Sequence, residues 1–149
     1  MAEYGRPADA NERIESAIKV IEALLPLEIN ERMKKKFLSN CLWQITQAEG
    51  RTKYEIRFRS EGAMNAPRKE LRHEHVTQRN AMVKALLERP KDARTIAANA
   101  QGCVVTKDEH KLLNDVDKAI DGWERYREAK IIVIDMETGE PIEFPTPTQ

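Results

Sequence analysis

The sequence predicts an α+β fold: a mainly helical single domain with an N-terminal helical hairpin, two or three short strands and a capped C-terminal helix. Three observations carry that expectation. Apolar residues recur at three- and four-residue spacing in two long segments near the N-terminus. Short runs of alternating or β-branched residues follow, at Tyr54–Arg59, Cys103–Thr106 and Lys130–Asp135. A T-x-x-E capping box then stands ahead of a helical apolar pattern. The chain has 149 residues, of which 40% are hydrophobic and 34% charged, so one domain with one buried core is expected over residues 11–140. Aromatic residues make up only 5%, so that core must rest mainly on aliphatic side chains.

The elements follow in order. Residues 1–10 read as a flexible tail, with Gly5 and Pro7 set against regular structure. Asn11 is placed to cap a first helix that carries Ile14, Ala17, Ile18, Ile21, Leu24 and Leu25 on one stripe. Pro26 stops it. A second helix spans about Glu28 to Ala48 and ends at Gly50. A short turn joins the two, so they should pack antiparallel. In "TKYEIRFRS", Tyr54, Ile56 and Phe58 alternate with Glu55, Arg57 and Arg59, which predicts a strand with a basic outer face. "EGAMNAP" is a loop, and Glu70 to Val76 is extended. Helices are expected at about Thr77 to Glu88 and Lys91 to Gln101, broken by Pro90. "CVVT" reads as a short buried strand. Thr106 and Glu109 form the capping box of a helix carrying Leu113, Val116, Ile120, Trp123 and Tyr126, with Gly122 its weak point. "KIIVID" is a strand and "METGEP" a turn. Residues 141–149, with Pro145 and Pro147, read as a second flexible tail.

Several function classes lose support at once. No apolar run approaches the ~20 residues a membrane span requires. The first residues are polar and carry no signal region. Cys41 and Cys103 stand alone rather than in CxxC pairs, so a reducing cytoplasmic setting is expected, without a zinc cage. No phosphate-binding glycine loop and no Ser-His-Asp or Cys-His pattern is present. Net charge is zero. Yet fifteen basic and only seven acidic residues lie between Lys34 and Arg94. That excess can attract an anion if folding gathers it on one face; ordinary solvated helix surface would produce the same count.

The histidines are few and oddly placed. His73 and His75 flank Glu74 in "LRHEHV", and His110 follows Glu109 in "VVTKDEHKLL". A neutral imidazole accepts a proton from water near neutral pH, and a divalent ion held by carboxylate and imidazole stabilises the charge of phosphodiester cleavage. With "EHV" at Glu74 to Val76 and "CVVTKDEHKLL" at Cys103 to Leu113, residues 71–115 resemble the HNH, or His-Me finger, nuclease core. The resemblance implies a metal-dependent nuclease or an inactive relative. It assigns His75 as general base, with Glu74 and His110 as ligands of a divalent ion, Mg or Zn. In this chain two helices occupy the gap where the family usually closes a hairpin, and no residue clearly takes the place of its middle asparagine.

Other readings stay open beside it. Strand alternation puts His73 and His75 on one face and Glu74 on the other. That favours a His73/His75 metal pair, with zinc or iron and His110 as third ligand. All three histidines also suit packing or surface hydrogen bonding. The alternative function is a small, non-catalytic binding or regulatory protein, of a kind common on mobile elements, that meets nucleic acid or a protein partner. Its candidate contacts are Arg57, Arg59, Arg68, Arg72 and Arg79, with Lys34–Lys36.

Overall fold

A computed structural model describes residues 4–144 of the chain. The tail expectations at residues 1–3 and 145–149, Pro145 and Pro147 included, lie outside the described residues. The chain begins with an antiparallel helical hairpin, α1 (Ala10–Leu24) and α2 (Glu31–Ala48). Ile18 and Ile21 of α1 meet Leu38, Leu42 and Ile45 of α2 in one apolar cluster. That cluster is closed by α3 (Arg79–Glu88) and α4 (Ala93–Ala98) through Met82, Val83, Leu86, Ala93 and Ala97. The caps differ from the expectation. No side chain caps α1, which begins one residue ahead of Asn11, whereas Asn30 accepts from the backbone N–H of Met33 and fixes the start of α2.

Five strands form one mixed sheet among the described residues: β1 (Phe58–Ser60), β2 (Leu71–His75), β3 (Gly102–Thr106), β4 (Val133–Asp135) and β5 (Glu140–Pro141). Their order is β2-β3-β1-β4-β5, with β1 and β3 parallel and the other neighbours antiparallel. This is the α+β architecture that the sequence predicts. The first strand is shorter than expected. Thr52 captures the backbone N–H of Tyr54 with its hydroxyl and that of Glu55 with its carbonyl, so residues 51–56 turn instead of pairing, and Arg57 joins the sheet only through its carbonyl, which accepts from Met136.

The register decides which side chains share a face. His73 stands opposite Val104, Glu74 opposite Cys103 and His75 opposite Gly102. One face of the sheet buries Cys103, Val105 and Val133 against Leu113 and Tyr126. The other buries Leu71 and Val104 with Ile56 and Ala63, and α2 reaches it through Trp43 and Thr46. Gly102 is required there. A Cβ at that position would lie 2.7 Å from His73 Nε2 and 2.8 Å from Ile56 Cδ1, closer than any side chain tolerates.

The C-terminal helix is two helices, not one. The capping box at Thr106 and Glu109 opens α5 (Lys107–Asp115) as the sequence foretells. The chain then leaves helix at Val116 and resumes only at α6 (Trp123–Glu128). Asp117 and Asp121 cause the break. Each carboxylate takes a nearby backbone N–H, that of Ala119 and that of Gly122, and Gly122 itself adopts φ +68°. Asp121 also accepts from the N–H of Gln78, ahead of α3. Residues 142–144 are not a loose end: Ile142 and Phe144 pack against the second cluster beside Trp123.

Candidate nucleic-acid interface

The Glu-His pieces do come close, but on two separate faces. Glu74 points toward α5 and α6. His110 Nδ1 lies 2.5 Å from Glu74 Oε2, and Asn114 donates to His110 Nε2 at 3.2 Å. With Nε2 accepting, the ring proton sits on Nδ1 and is donated to the carboxylate. The other oxygen, Oε1, receives Arg125 at 3.2 Å. The same guanidinium nitrogen donates to the carbonyl of His75 at 2.8 Å, and Arg125 is only 2% exposed. Arg125 therefore pins α6 to the end of β2. Sequence reasoning missed it, because an arginine in "WERYRE" carries no sign of burial.

His73 and His75 point the opposite way, as the period of a strand demands. His73 Nδ1 donates to the carbonyl of Lys53 at 2.6 Å, which leaves Nε2 as an acceptor 3.0 Å from the Thr46 hydroxyl, whose one proton also reaches the carbonyl of Trp43 at 3.1 Å. His75 is 6% exposed, and neither of its ring nitrogens has a hydrogen-bond partner among the described residues. The indole of Trp43 lies against both rings, with centroids 4.7 Å from His73 and 5.5 Å from His75. Burial, with smaller effects from His73 and Arg79, holds His75 down at about 3. His73 is lowered in the same direction, again by burial.

This geometry corrects the expectation of one pocket for Glu74, His75 and His110. Glu74 and His110 meet, but His75 lies across the sheet from them. Between Glu74 and His110 the carboxylate and the imidazole bond each other directly, and the second carboxylate oxygen is committed to Arg125. In the His73/His75 pair, both nitrogens of His73 are engaged. Among the described residues, no three His, Cys, Asp or Glu side chains are grouped to hold a metal. Glu109 serves the cap instead, accepting from the N–H of Thr106 and from the hydroxyl of Ser60.

The five arginines expected at a nucleic-acid surface separate just as clearly. Arg57 is spent within the fold: Asp135 holds it at 3.0 and 2.8 Å, and Glu137 is 3.1 Å away. Arg72 turns back onto the carbonyl of Leu71. Arg79 lies over the ring of Trp43, 5.4 Å from its centroid. Arg59 and Arg68 line one cleft of about 310 Å³, and Arg51 joins them there.

That cleft is built by the turns of residues 51–56. They bring Arg51 and Tyr54 beside Arg59 at the start of the sheet, over a floor of Ile56, Leu71 and Met136. The Arg68 guanidinium lies 5.3 Å from the centre of the Tyr54 ring, and Lys53 Nζ lies 5.0 Å from it. Among the described residues, none of the three arginines forms an ion pair. Arg59 is half-buried, and its guanidinium bonds the carbonyl of Tyr54 at 3.3 Å. Burial lowers its proton affinity and Glu55 opposes that only in part. One acid, Glu55, lines the cleft. Sequence signals for it existed in Lys53-Tyr54 and Arg51, where cations flank an aromatic ring, but a straight strand would have scattered them.

No protein-family model matches this chain, and neither a curated protein nor a solved structure matches it. No helix of the described residues is long and apolar enough to cross a membrane.

Proposed function

We propose that the protein is a non-catalytic binding module for single-stranded nucleic acid. The cleft at Arg51, Arg59 and Arg68 takes a phosphate, and the Arg68–Tyr54 layer takes a base. One observation carries this reading: three arginines free of ion pairs among the described residues converge on a cleft with an aromatic wall. A half-buried guanidinium with no carboxylate in ion-pair contact among the described residues, and only Glu55 nearby, is costly unless an anion completes it. Planar guanidinium and phenol groups suit phosphate and base alike, and unpaired bases stack on such layers. The nuclease reading has weaker support, because its proposed base and its proposed ligands face opposite sides of β2.

Fluorescence anisotropy with a labelled oligothymidylate tests the proposal. Binding is expected in the micromolar range at moderate salt, unchanged by a chelator. Arg59→Ala with Arg68→Ala should weaken it about tenfold or more. The slope of log affinity against log salt should become shallower by about 1.4, or ~0.7 for each lost phosphate contact. Polyglutamate that competes as well as the oligonucleotide would redirect the reading to an acidic protein segment. Absence of binding, or binding that ignores both substitutions, would refute it.

A further inference from the structure

A second groove lies between α2 and α3, lined by Lys35, Lys36, Asn40, Trp43, Arg79 and Asn80. Like the cleft it joins cations to a flat ring, because Arg79 lies over Trp43. Its lining holds no acid, and of its cations Lys35 alone forms an ion pair among the described residues, with Glu31 at 3.4 Å. The two places are joined through the half-buried imidazole of His73. Trp43 packs on His73, His73 donates to the carbonyl of Lys53, and Lys53 reaches over Tyr54. Arg79, Trp43, His73, Lys53, Tyr54 and Arg68 thus form one chain of contacts, with cations at both ends and a third, Lys53, between the rings.

We infer that the ligand continues from the cleft to this second groove, so that the protein holds an extended single strand of several nucleotides rather than one nucleotide. The inference rests on the binding reading given above. Non-specific single-strand binders need this combination: cations that follow the phosphates and rings on which successive bases stack. The Trp43 ring is held in advance. It is wedged on the buried His75 and on His73, which Thr46 and the Lys53 carbonyl keep in place, and Arg79 lies over it, so little side-chain freedom is lost when a base stacks on the Arg79–Trp43 layer. His75 then has a use despite its unpartnered nitrogens: it is a flat, neutral support beneath the indole.

Two oligothymidylates, of about four and about twelve nucleotides, separate the two contacts. The intact protein should bind the longer strand about tenfold or more tightly than the shorter. Lys36→Ala with Arg79→Ala should remove that advantage and leave the short strand's affinity unchanged. Charge reversal at the exposed Lys35 and Lys36, K35E with K36E, should do the same without touching α3. In a Trp123→Phe background the remaining indole, Trp43, should be quenched by the long strand and not by the short. Equal affinity for both lengths, or equal loss on both in the Lys36/Arg79 variant, would overturn the inference while the cleft stands. Failure of the intact protein to bind either strand would overturn the inference together with the binding reading. A hairpin duplex that quenches Trp43 as strongly as the long strand would overturn it too, in favour of a backbone reader.

Discussion

Arg125 and Arg59 are both arginines held beside strands, and their surroundings could hardly differ more. Arg125 is buried, with Glu74 and the carbonyls of His75 and Val76 around one nitrogen. Arg59 is half-buried in an open cleft, with a single backbone carbonyl, two further arginines and one acid, Glu55, that forms no ion pair with it. The first arrangement pairs its charge with Glu74 from within the chain and ties α6 to β2, although its buried Nε has no partner among the described residues. The second leaves its charge for something that the chain does not supply. Cations alone do not mark a binding surface; what marks one is a cation whose neighbours fail to neutralise it.

Substitutions should sharpen this contrast. Arg125→Met should be the most damaging. It leaves the largely buried Glu74 carboxylate with His110 as its one remaining side-chain partner and frees the carbonyls of His75 and Val76, so a loss of about 3 kcal/mol is expected in denaturant unfolding. A loss under ~1 kcal/mol would mean that Arg125 is not the tie described. Acid comes next. His75 titrates at about 3 in the folded chain and near its ordinary 6.5 when unfolded, so only the unfolded chain takes up the proton between those values. Stability is therefore fully present above about pH 6.5 and falls toward pH 3, by up to ~1.4 kcal/mol per pH unit for this group. His73 adds to it in the same direction. His75→Phe, which keeps a ring under Trp43, should flatten the slope; an unchanged profile would show that His75 is not the group responsible.

Smaller effects follow at the surface. Arg59→Ala should cost binding about tenfold, or ~1.4 kcal/mol, while unfolding stability stays within ~0.5 kcal/mol. Arg57→Ala should show the reverse: a stability loss under ~1 kcal/mol, since the pair is partly exposed, with oligonucleotide affinity nearly unchanged. If Arg57→Ala weakened binding as much as Arg59→Ala, the division between neutralised and free arginines would fail.

Much of the fold was legible in the sequence, because helical periodicity and the Thr106–Glu109 box act locally. The hairpin, the Leu71–His75 and Gly102–Thr106 strands and the opening of α5 all follow from residues close together in the chain. The break between α5 and α6 did not, although Asp117, Asp121 and Gly122 were its visible cause; the apolar spacing of Val116, Ile120 and Trp123 ran on across it. Period two in Tyr54–Arg59 misled for a similar reason, since the Thr52 turn outcompeted ladder pairing. At the candidate site, strand alternation already placed Glu74 opposite its flanking histidines. What sequence could not supply was the sorting of the arginines. Asp135 lies 78 positions from Arg57, and nothing local to either residue announces the pair.

The central claim is that the Arg51/Arg59/Arg68 cleft is where nucleic acid sits. Amide chemical shifts of the nitrogen-labelled protein, followed while an oligothymidylate is added, test it most directly. The account predicts movement at Arg51 to Arg59 and at Arg68 to Leu71, with His110, Asn114 and α6 still. Movement centred on His110 and Asn114, or none at all, would contradict it.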